Sequence, residues 1–238
     1  MNIRDEAVLR ELNLHPLWVR RDMPVAPPPV MAECAPVAAD APPVVSVVPS
    51  PGAREPMDWT TLQAQVRGCR ACKLRAGCSQ TVFGVGDQQA DWLFVGEGPG
   101  ADEDERGEPF VGQAGKLLDN MLAAIKLKRG NEVYIANIVK CRPPNNRTPE
   151  ADEIAACLPY LHQQIALIKP KLIVALGKTA ATSLLGREAT LGSFRGSVHD
   201  YRGTPLIVTY HPSYLLRSPS EKAKAWQDLL FAVQRMNE

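Results

Sequence analysis

The 238-residue sequence has almost no net charge, since 27 Lys and Arg residues face 26 Asp and Glu residues, leaving +1 at pH 7. A globally basic surface for nucleic acid or anionic membranes is therefore excluded, and any anionic partner must be met by a local patch. The sequence also lacks a run of about 18 apolar residues, which excludes a membrane-spanning helix. Its first residues lack the apolar core and cleavage site of a secretory signal, so we expect a cytoplasmic protein.

Helical or strand periodicity is missing from residues 24–56, where Pro, Ala and Val dominate. This composition favours extended, polyproline-like chain and predicts a disordered linker over residues 23–57. Residues 1–22 before it contain an apolar set, formed by Leu9, Leu12, Leu14, Leu17 and Trp18. An apolar segment ahead of a flexible arm is typical of a tethered docking peptide. A short helix that packs on the protein's own domain is the alternative.

Strands and helices alternate over residues 58–238, the predicted folded domain. Apolar runs predict buried strands at 92–96, 133–139, 171–177 and 205–210. The last helix is predicted over 218–236, with a capping box of Ser218 and Glu221 and one apolar face of Ala223, Trp226, Leu230 and Val233. The alternation indicates an α/β fold with a central, mainly parallel four-stranded sheet covered on both faces. In such sheets, ligands bind at the carboxyl ends of the strands.

Six cysteines in a sequence without secretory features suggest metal or thiol chemistry before disulfides. Cys69 and Cys72 form a Cys-x2-Cys pair, and 15 residues separate Cys141 from Cys157. Four thiolates of this kind suit either zinc or an iron–sulfur cluster. Cys78 is a rival ligand because it lies only six residues after Cys72.

The segment after the first strand, GEGPGADEDERGEP, places a row of carboxylates between glycine-rich turns. Phosphate-binding loops supply backbone donors or lysine, so this row argues against a phosphate ligand. Glu97 and Glu103 are the candidate functional acids. The others are expected to form a solvated face, made by Asp102, Asp104, Glu105 and Glu108.

The segment ALGKT (175–179) after the third strand imitates the end of a Walker A loop. Leu172 stands where that motif requires its first glycine, so the sequence argues against nucleoside triphosphate binding. We therefore predict that this segment is a strand-to-helix turn in which Gly177 allows tight packing.

Polar residues follow the second strand. The Asn137 amide both donates and accepts hydrogen bonds and can read a base edge, although a strand-end cap is the ordinary alternative. Lys140, Arg142 and Arg147 form a local basic patch that suits a DNA backbone. A solvated basic loop is the other interpretation of that patch.

After the fourth strand, HPSYLLR puts His211 where a parallel sheet forms its site. Leu215 and Leu216 then precede Arg217 in what we expect to be an exposed loop. Exposed leucines beside a cation suit insertion between stacked bases. Burial of both leucines under the last helix is the alternative.

Four segments together resemble family 4 uracil-DNA glycosylases, the iron–sulfur branch of that superfamily: VGEGPGADEDERGEPFVGQAGKLLDNML, NIVKCRPPNNRTPE, PYLHQQIALIKPKLIVALGKTA and TYHPSYLLRSP. The resemblance runs from about Cys69 to the C-terminus. It implies the three-layer α/β/α fold of the superfamily and a [4Fe–4S] cluster on Cys69, Cys72, Cys141 and Cys157. It also implies hydrolysis of the N-glycosidic bond of uracil in DNA, which leaves an abasic site and starts base excision repair.

The resemblance assigns roles to residues. It implies catalytic roles for Glu97, Glu103 and His211 and uracil binding by Gly98, Phe110 and Asn137. We expect DNA contacts from Arg142, Arg147, Ser213, Leu215, Leu216 and Arg217. Phe110 would stack on the flipped base, Asn137 would pair with uracil O4 and N3, and His211 would donate to O2. Glu97 and Glu103 would face the cationic sugar, although the best-known branch has Asp where this sequence has Glu97.

We expect a monomer that acts on uracil in single- or double-stranded DNA. A related branch bonds covalently to the sugar through a His in a basic insertion after the second strand. KCRPPNNRTPE has no His, which favours ordinary turnover. A uracil-DNA binding protein or an iron–sulfur redox sensor without catalysis is the alternative.

The N-terminal segment LRELNLHPLWVRRD is similar to the N-terminal peptide of the psi subunit of the bacterial replicative clamp loader. This resemblance implies that residues 1–22 bind a subunit of that clamp loader.

Overall fold

The computed structural model describes residues 58–238. The predicted docking peptide and linker lie outside the described residues. Within 58–238, none of the helices combines the length and the apolar character that crossing a bilayer requires.

Six strands form one sheet in the order β1-β3-β2-β4-β6-β5. The strands are β1 (Val85–Gly86), β2 (Trp92–Gly96), β3 (Val133–Asn137), β4 (Leu172–Leu176), β5 (His199–Tyr201) and β6 (Thr204–Thr209). The four central strands are parallel, as predicted, and coincide with the four apolar runs. The predicted count of four was two short, because β1 and β5 add antiparallel edges. Strands of two or three residues are too short to show a periodic pattern.

Nine α-helices surround this sheet in the described part of the chain. They are α1 (Trp59–Gly68), α2 (Leu74–Gly77), α3 (Ala101–Arg106), α4 (Gln113–Ala124), α5 (Ala151–Ile168), α6 (Lys178–Leu185), α7 (Leu191–Phe194), α8 (Pro212–Arg217) and α9 (Lys222–Met236). Short 3-10 turns occupy Pro144–Asn146 and Pro219–Glu221.

The helices cover both faces of the sheet. On one face, Leu161 of α5 and Leu184 of α6 pack in a core that includes Val95. On the other, Leu118 of α4 and Leu229 of α9 pack in a core that includes Phe94. Alternate residues of each strand thus enter opposite cores, and the three-layer α/β/α prediction is confirmed.

The last helix presents a different face from the predicted one. It buries Ala225, Asp228, Leu229 and Ala232, whereas Trp226 is 41% and Leu230 48% exposed. Asp228 is drawn inside because its carboxylate pairs with Arg195 (Nε to Oδ2, 2.7 Å) and accepts from the Thr209 hydroxyl at 2.7 Å. The helix also begins at Lys222, so the predicted capping box is wrong.

Parallel strands carry the polar segments to a single edge of the sheet. Gly96 at the end of β2 pairs with Asn137 at the end of β3. Beyond β4, the Gly177 amide donates to the Thr209 carbonyl at 2.8 Å. The segments that follow β2, β3, β4 and β6 therefore converge at the carboxyl edge of the sheet.

Candidate active site

A cavity of about 470 Å³ opens at this carboxyl edge. All six residues implied by the family resemblance line it: Glu97, Gly98, Glu103, Phe110, Asn137 and His211. Four of the remaining lining residues are Arg147, Ser213, Tyr214 and Arg217. These groups come from three parts of the chain, namely the segment after β2, the end of β3 with the loop that follows it, and the segment after β6, so the fold is what brings them together.

Asn137 presents an unsatisfied acceptor. The residue is buried, and its Oδ1 has no hydrogen-bond partner among the described residues. Gly96 lies opposite, and a Cβ at position 96 would come within 2.4 Å of that oxygen and 2.6 Å of Phe110 Cζ. Glycine at position 96 therefore makes room for both side chains. A buried acceptor without a donor is costly, so a ligand N–H at this point would be stabilised.

Phe110 is held in a strained conformation, with φ at 56°. Two Arg129 nitrogens donate to the Pro109 and Phe110 carbonyls, each at 2.7 Å. Close packing also requires Gly115, because a Cβ there would lie 1.8 Å from the Phe110 oxygen. The Phe110 ring consequently lines the cavity 5.5 Å from the His211 ring, centroid to centroid.

The Glu103 carboxylate is occupied by backbone donors. It accepts from the N–H groups of Gly100 (3.0 Å), Val111 (2.9 Å) and Gly112 (3.0 Å). These bonds tie the start of α3 to the loop that carries Phe110. Glu103 lines the cavity, and its hydrogen bonds hold the cavity wall in shape.

The remaining acidic residues of the segment after β2 differ in their burial. Asp102, Glu105 and Glu108 are exposed, as predicted. The prediction was wrong for Asp104, which is buried and accepts from the backbone N–H of Ser79 at 3.0 Å. A carboxylate that satisfies backbone donors of a neighbouring loop is stable inside a protein.

Glu97 follows β2 directly and lines the cavity. Its Oε2 accepts from the Thr179 hydroxyl at 2.5 Å. Sequence reasoning missed Thr179. The available signal was its position after a parallel strand, the same signal that selected His211.

His211 is the N-cap of α8. Its Nδ1 accepts from the Ser213 N–H at 3.2 Å and lies 2.8 Å from the Ser213 hydroxyl. Desolvation, with the charge of Arg217 second, lowers the pKa of His211 to about 4. The imidazole is therefore neutral at pH 7, and with Nδ1 accepting, its proton resides on Nε2.

The predicted basic patch is only partly available to a ligand. Lys140 is 1% exposed and donates to the Asn137 carbonyl (2.9 Å) and Gln164 Oε1 (2.6 Å). Including it in the patch was wrong, because its ammonium ties β3 to α5. Arg147 makes a bidentate pair with buried Glu153 at 2.6 and 2.8 Å, which lowers the pKa of that carboxyl to about 2.

Arg142 retains part of its donor capacity. It is partly exposed, and its Nε donates to Asn146 Oδ1 at 2.8 Å. Arg217 is exposed at the cavity mouth. These two arginines therefore supply the accessible positive charge among the predicted DNA contacts.

The segment after His211 is a short helix rather than an exposed loop. Leu215 is 1% exposed, so the expectation of two exposed leucines was wrong for it, whereas Leu216 is 43% exposed. Tyr214, which sequence reasoning passed over, is 39% exposed and lines the cavity. Its ring stacks on Tyr210, with centroids 5.4 Å apart and planes at 10°. The helical period turns Leu215 inward and leaves Tyr214 and Leu216 outside.

The four predicted cysteine ligands line a second, small apolar cavity. Cys69 and Cys72 lie between α1 and α2, Cys141 follows β3, and Cys157 is on α5. Cys78 does not line that cavity, and its sulfur contacts both Arg75 and the Cys141 thiol. Within residues 58–238, no three His, Cys, Asp or Glu side chains are gathered as ligands of a single metal ion.

The chemistry of these cysteines fits thiolate ligation of a larger group. Backbone N–H groups donate to two sulfurs: Ala71 to Cys69 at 3.4 Å and Lys140 to Cys157 at 3.2 Å. Burial raises the pKa of Cys157 to about 11 and raises that of Cys141 as well. Both thiols therefore stay protonated unless a cation or cluster replaces the proton.

Comparison with known proteins identifies the family. The family model described as the Uracil DNA glycosylase superfamily matches residues 83–230. A Type-4 uracil-DNA glycosylase of Pyrobaculum aerophilum is 44% identical over 181 residues, covering 73% of this chain and 92% of the relative. One from Thermotoga maritima is 45% identical over 162 residues, covering 67% and 84%. A Type-5 uracil-DNA glycosylase of Pyrobaculum aerophilum is 34% identical over 148 residues, covering 55% and 64%. The chain therefore belongs to the uracil DNA glycosylase superfamily.

Proposed function

We propose that this chain is a uracil-DNA glycosylase, which flips uracil out of DNA and hydrolyses its N-glycosidic bond. The observation that carries the proposal is the unpartnered Asn137 Oδ1, buried in a cavity beside an aromatic ring and a neutral histidine. The names of the Type-4 relatives support it. The product is an abasic site, the substrate of the next step in base excision repair.

Asn137 selects uracil over cytosine. Its Oδ1 accepts from uracil N3–H, and its amide nitrogen donates to O4. Cytosine has no proton at N3 and carries an amino group at C4, so both contacts become repulsive. Because a site built to bond a polar group rejects a base that leaves it unpaired, this single side chain supplies strong discrimination. Phe110 stacks on the extruded base and offsets part of the cost of unstacking it.

His211 stabilises the departing base. Its Nε2–H donates to uracil O2, where negative charge grows as the glycosidic bond breaks. A neutral donor held by the Ser213 N–H needs no reorganisation during the reaction. The proton stays on the imidazole, and uracil leaves as an anion.

Glu97 is placed to act on the positive charge that develops on the sugar. As the bond breaks, the sugar becomes cationic, and a nearby carboxylate stabilises it or orients the attacking water. Glu97 has one hydrogen bond from a side chain, whereas Glu103 is occupied by three backbone donors. We assign the chemical role to Glu97 and a loop-holding role to Glu103. Gly98 keeps the wall thin, since a Cβ there would lie 2.8 Å from Val139.

The DNA-binding surface surrounds the cavity mouth. Arg142 and Arg217 bind phosphates, and Ser213 adds a hydroxyl. Tyr214 and Leu216, both exposed on α8, fill the gap left by the flipped nucleotide. Leu215 supports them from beneath, and Arg147 orders the loop through Glu153.

A [4Fe–4S] cluster is held by Cys69, Cys72, Cys141 and Cys157. The shared cavity and the two N–H···S bonds support this ligand set, and the Type-4 names of the relatives are consistent with it. Such a cluster supplies cross-links that join the α1–α2 connection to β3 and α5. The Lys140 ammonium, whose pKa burial lowers to about 8, contributes positive charge near Cys157.

Residues 1–22 act as a docking peptide for a clamp-loader subunit, joined to the catalytic domain by a linker over 23–57. The apolar set that includes Trp18 and the similarity to the psi peptide support this assignment. Docking would bring the enzyme to newly replicated DNA.

The experiment that tests the main proposal uses a uracil-containing oligonucleotide, followed by alkali to cleave abasic sites. Wild-type protein should release free uracil in a single turnover. Asn137→Asp should lower that rate about 100-fold, because a carboxylate cannot donate to O4. Asn120→Asp, the same change on the exposed side of α4, is the matched control and should react at the wild-type rate. Tight binding of uracil-DNA without release of uracil would identify a binding protein instead.

A further inference from the structure

The turn after β4 contacts both groups assigned to the chemical step. Thr179, the second residue of α6, donates its hydroxyl to Glu97 Oε2. Gly177, two residues earlier, lies against His211, because a Cβ at Gly177 would come within 3.0 Å of His211 Cβ. This is the segment whose sequence imitates a Walker A loop. Its lysine has no part in the site, since Lys178 is exposed and pairs with Glu188 at 3.2 Å.

We propose that Thr179 is a positioning residue for the glycosylase reaction, which fixes the Glu97 carboxylate against the reacting sugar. The inference rests on the proposed role of Glu97. It accounts for the ALGKT segment without a phosphate ligand.

The residues next to Glu97 in the sequence explain why its carboxylate needs a hydrogen-bond donor from elsewhere in the fold. Glu97 lies between Gly96 and Gly98, so neither neighbour offers a side chain to pack against it. In residues 58–238, the hydroxyl of Thr179 supplies the single hydrogen bond of the Glu97 side chain. Because β2 and β4 are adjacent and parallel, their carboxyl ends deliver these two residues to the same point.

Thr179 is a suitable donor because it is itself rigid. A β-branched side chain in a helix has few rotamers, and Thr179 lies in the first turn of α6. Its hydrogen bond takes Oε2 and leaves Oε1 for the attacking water or the sugar. A displacement of about 1 Å in a catalytic group can cost about 100-fold in rate, so losing this bond should slow the chemical step.

The first experiment compares variants that differ by one hydroxyl. Thr179→Val keeps the volume and branching but removes the donor, and Thr179→Ser keeps the donor. Single-turnover uracil release should fall about 10- to 100-fold in Thr179→Val and stay within about threefold of wild type in Thr179→Ser. Affinity for DNA that contains a non-cleavable uracil analogue should be unchanged in both. Thr60→Val, the same substitution at the exposed second residue of α1, is the control and should react as wild type.

A double-mutant cycle then shows whether Thr179 acts through Glu97. In a Glu97→Ala background, Thr179→Val should cause no further loss of rate, because the carboxylate it positions is absent. An equal loss in both backgrounds would overturn the proposal, as would wild-type rates in Thr179→Val. Glu97→Ala alone separates the two assignments: full activity in that variant overturns the role of Glu97 itself.

Discussion

The hydrogen-bonding atoms that Asn137 and His211 present to the cavity are set by the surrounding protein. Gly96 clears the space around the Asn137 oxygen, and the Ser213 amide occupies Nδ1 of His211. Donor and acceptor are thus oriented before a ligand arrives. This preorganisation is worth more in a cavity removed from water than on a surface.

His211→Asn should separate the chemical role of this residue from its structural one. Asparagine is a good N-cap and can still accept from the Ser213 N–H, so α8 should stay folded. The variant lacks the Nε2–H donor, and its single-turnover rate should fall about 100-fold, the scale of one lost donor to a developing anion. Unchanged far-ultraviolet circular dichroism would establish that the helices persist. A wild-type rate would show that His211 is not the donor to the base.

The low pKa of His211 also makes stability depend on pH. An unfolded imidazole titrates near pH 6.5, and the folded one near 4, so the unfolded state binds the extra proton between these values. The contribution of the neutral ring is complete above about pH 6.5 and is lost as the pH falls towards 4. Urea unfolding at pH 7 and pH 5 should show a smaller loss of stability in His211→Asn than in wild type, by up to about 1.4 kcal/mol per pH unit. Equal losses would contradict this assignment.

At the scale of secondary-structure elements, the segments after the parallel strands form the candidate active site. The segments after β2 and β6 supply Glu97 and His211, β3 ends in Asn137, and the turn after β4 contacts both Glu97 and His211. Short helices fix the adjacent segments: α3 ties the Phe110 loop through Glu103, and α8 orients His211. The cysteine cavity is likewise lined by residues from separate elements, namely the α1–α2 connection, the segment after β3, and α5.

Substitution of single cysteines tests which of them are ligands of the proposed cluster. Cys72→Ala should lose the visible absorbance and the roughly four irons per chain expected of anaerobically purified wild type. It should also lower thermal stability, because the α1–α2 connection would no longer be joined to β3 and α5. Cys78→Ala is the matched control: Cys78 does not line the cavity, so iron and colour should persist. A colourless wild-type protein with one zinc per chain, or loss of iron in Cys78→Ala alone, would refute the ligand set.

At the scale of the whole molecule, every residue assigned to base recognition, chemistry and cluster binding lies within 58–238. The family model matches only part of this domain, residues 83–230. The proposed docking role of residues 1–22 predicts that this N-terminal part bears on where the enzyme acts rather than on how it cleaves the bond.

Deletion of residues 1–56 should consequently leave uracil release from short oligonucleotides within about twofold of the full chain. A peptide of residues 1–22 should bind purified clamp-loader subunits, and Trp18→Ala should abolish that binding. A central tryptophan commonly contributes about 2 kcal/mol or more, enough to lose a micromolar complex. If the segment packs on its own domain instead, the deletion should lower thermal stability and the peptide should bind no clamp-loader subunit.

The sequence by itself determined the architecture and the location of the site. Continuous apolar runs at 92–96 and 172–176 can be buried on both faces only in a covered parallel sheet, and parallel strands bring their carboxyl ends together. The strong local signals therefore predicted the four central strands, the two-sided covering by helices and the cavity edge. The motifs around Glu97, Asn137 and His211 selected the residues, because their order along the chain resembles that of a known family.

Only the tertiary structure decided which polar residues are free to act. Lys140, Arg147 and Glu103 look like available basic or acidic groups in the sequence, yet partners in the folded chain occupy all three. The partner of Lys140 lies 24 positions away, and that of Arg147 lies six positions away. The apolar face of α9 was mispredicted for the same reason: the pair between Asp228 and Arg195, 33 positions apart, outweighs a local hydrophobic pattern. The contact between Thr179 and Glu97 spans 82 positions and has no signature in either local sequence. Hydrogen-bond partners distant along the chain are set by strand order, which local periodicity does not specify.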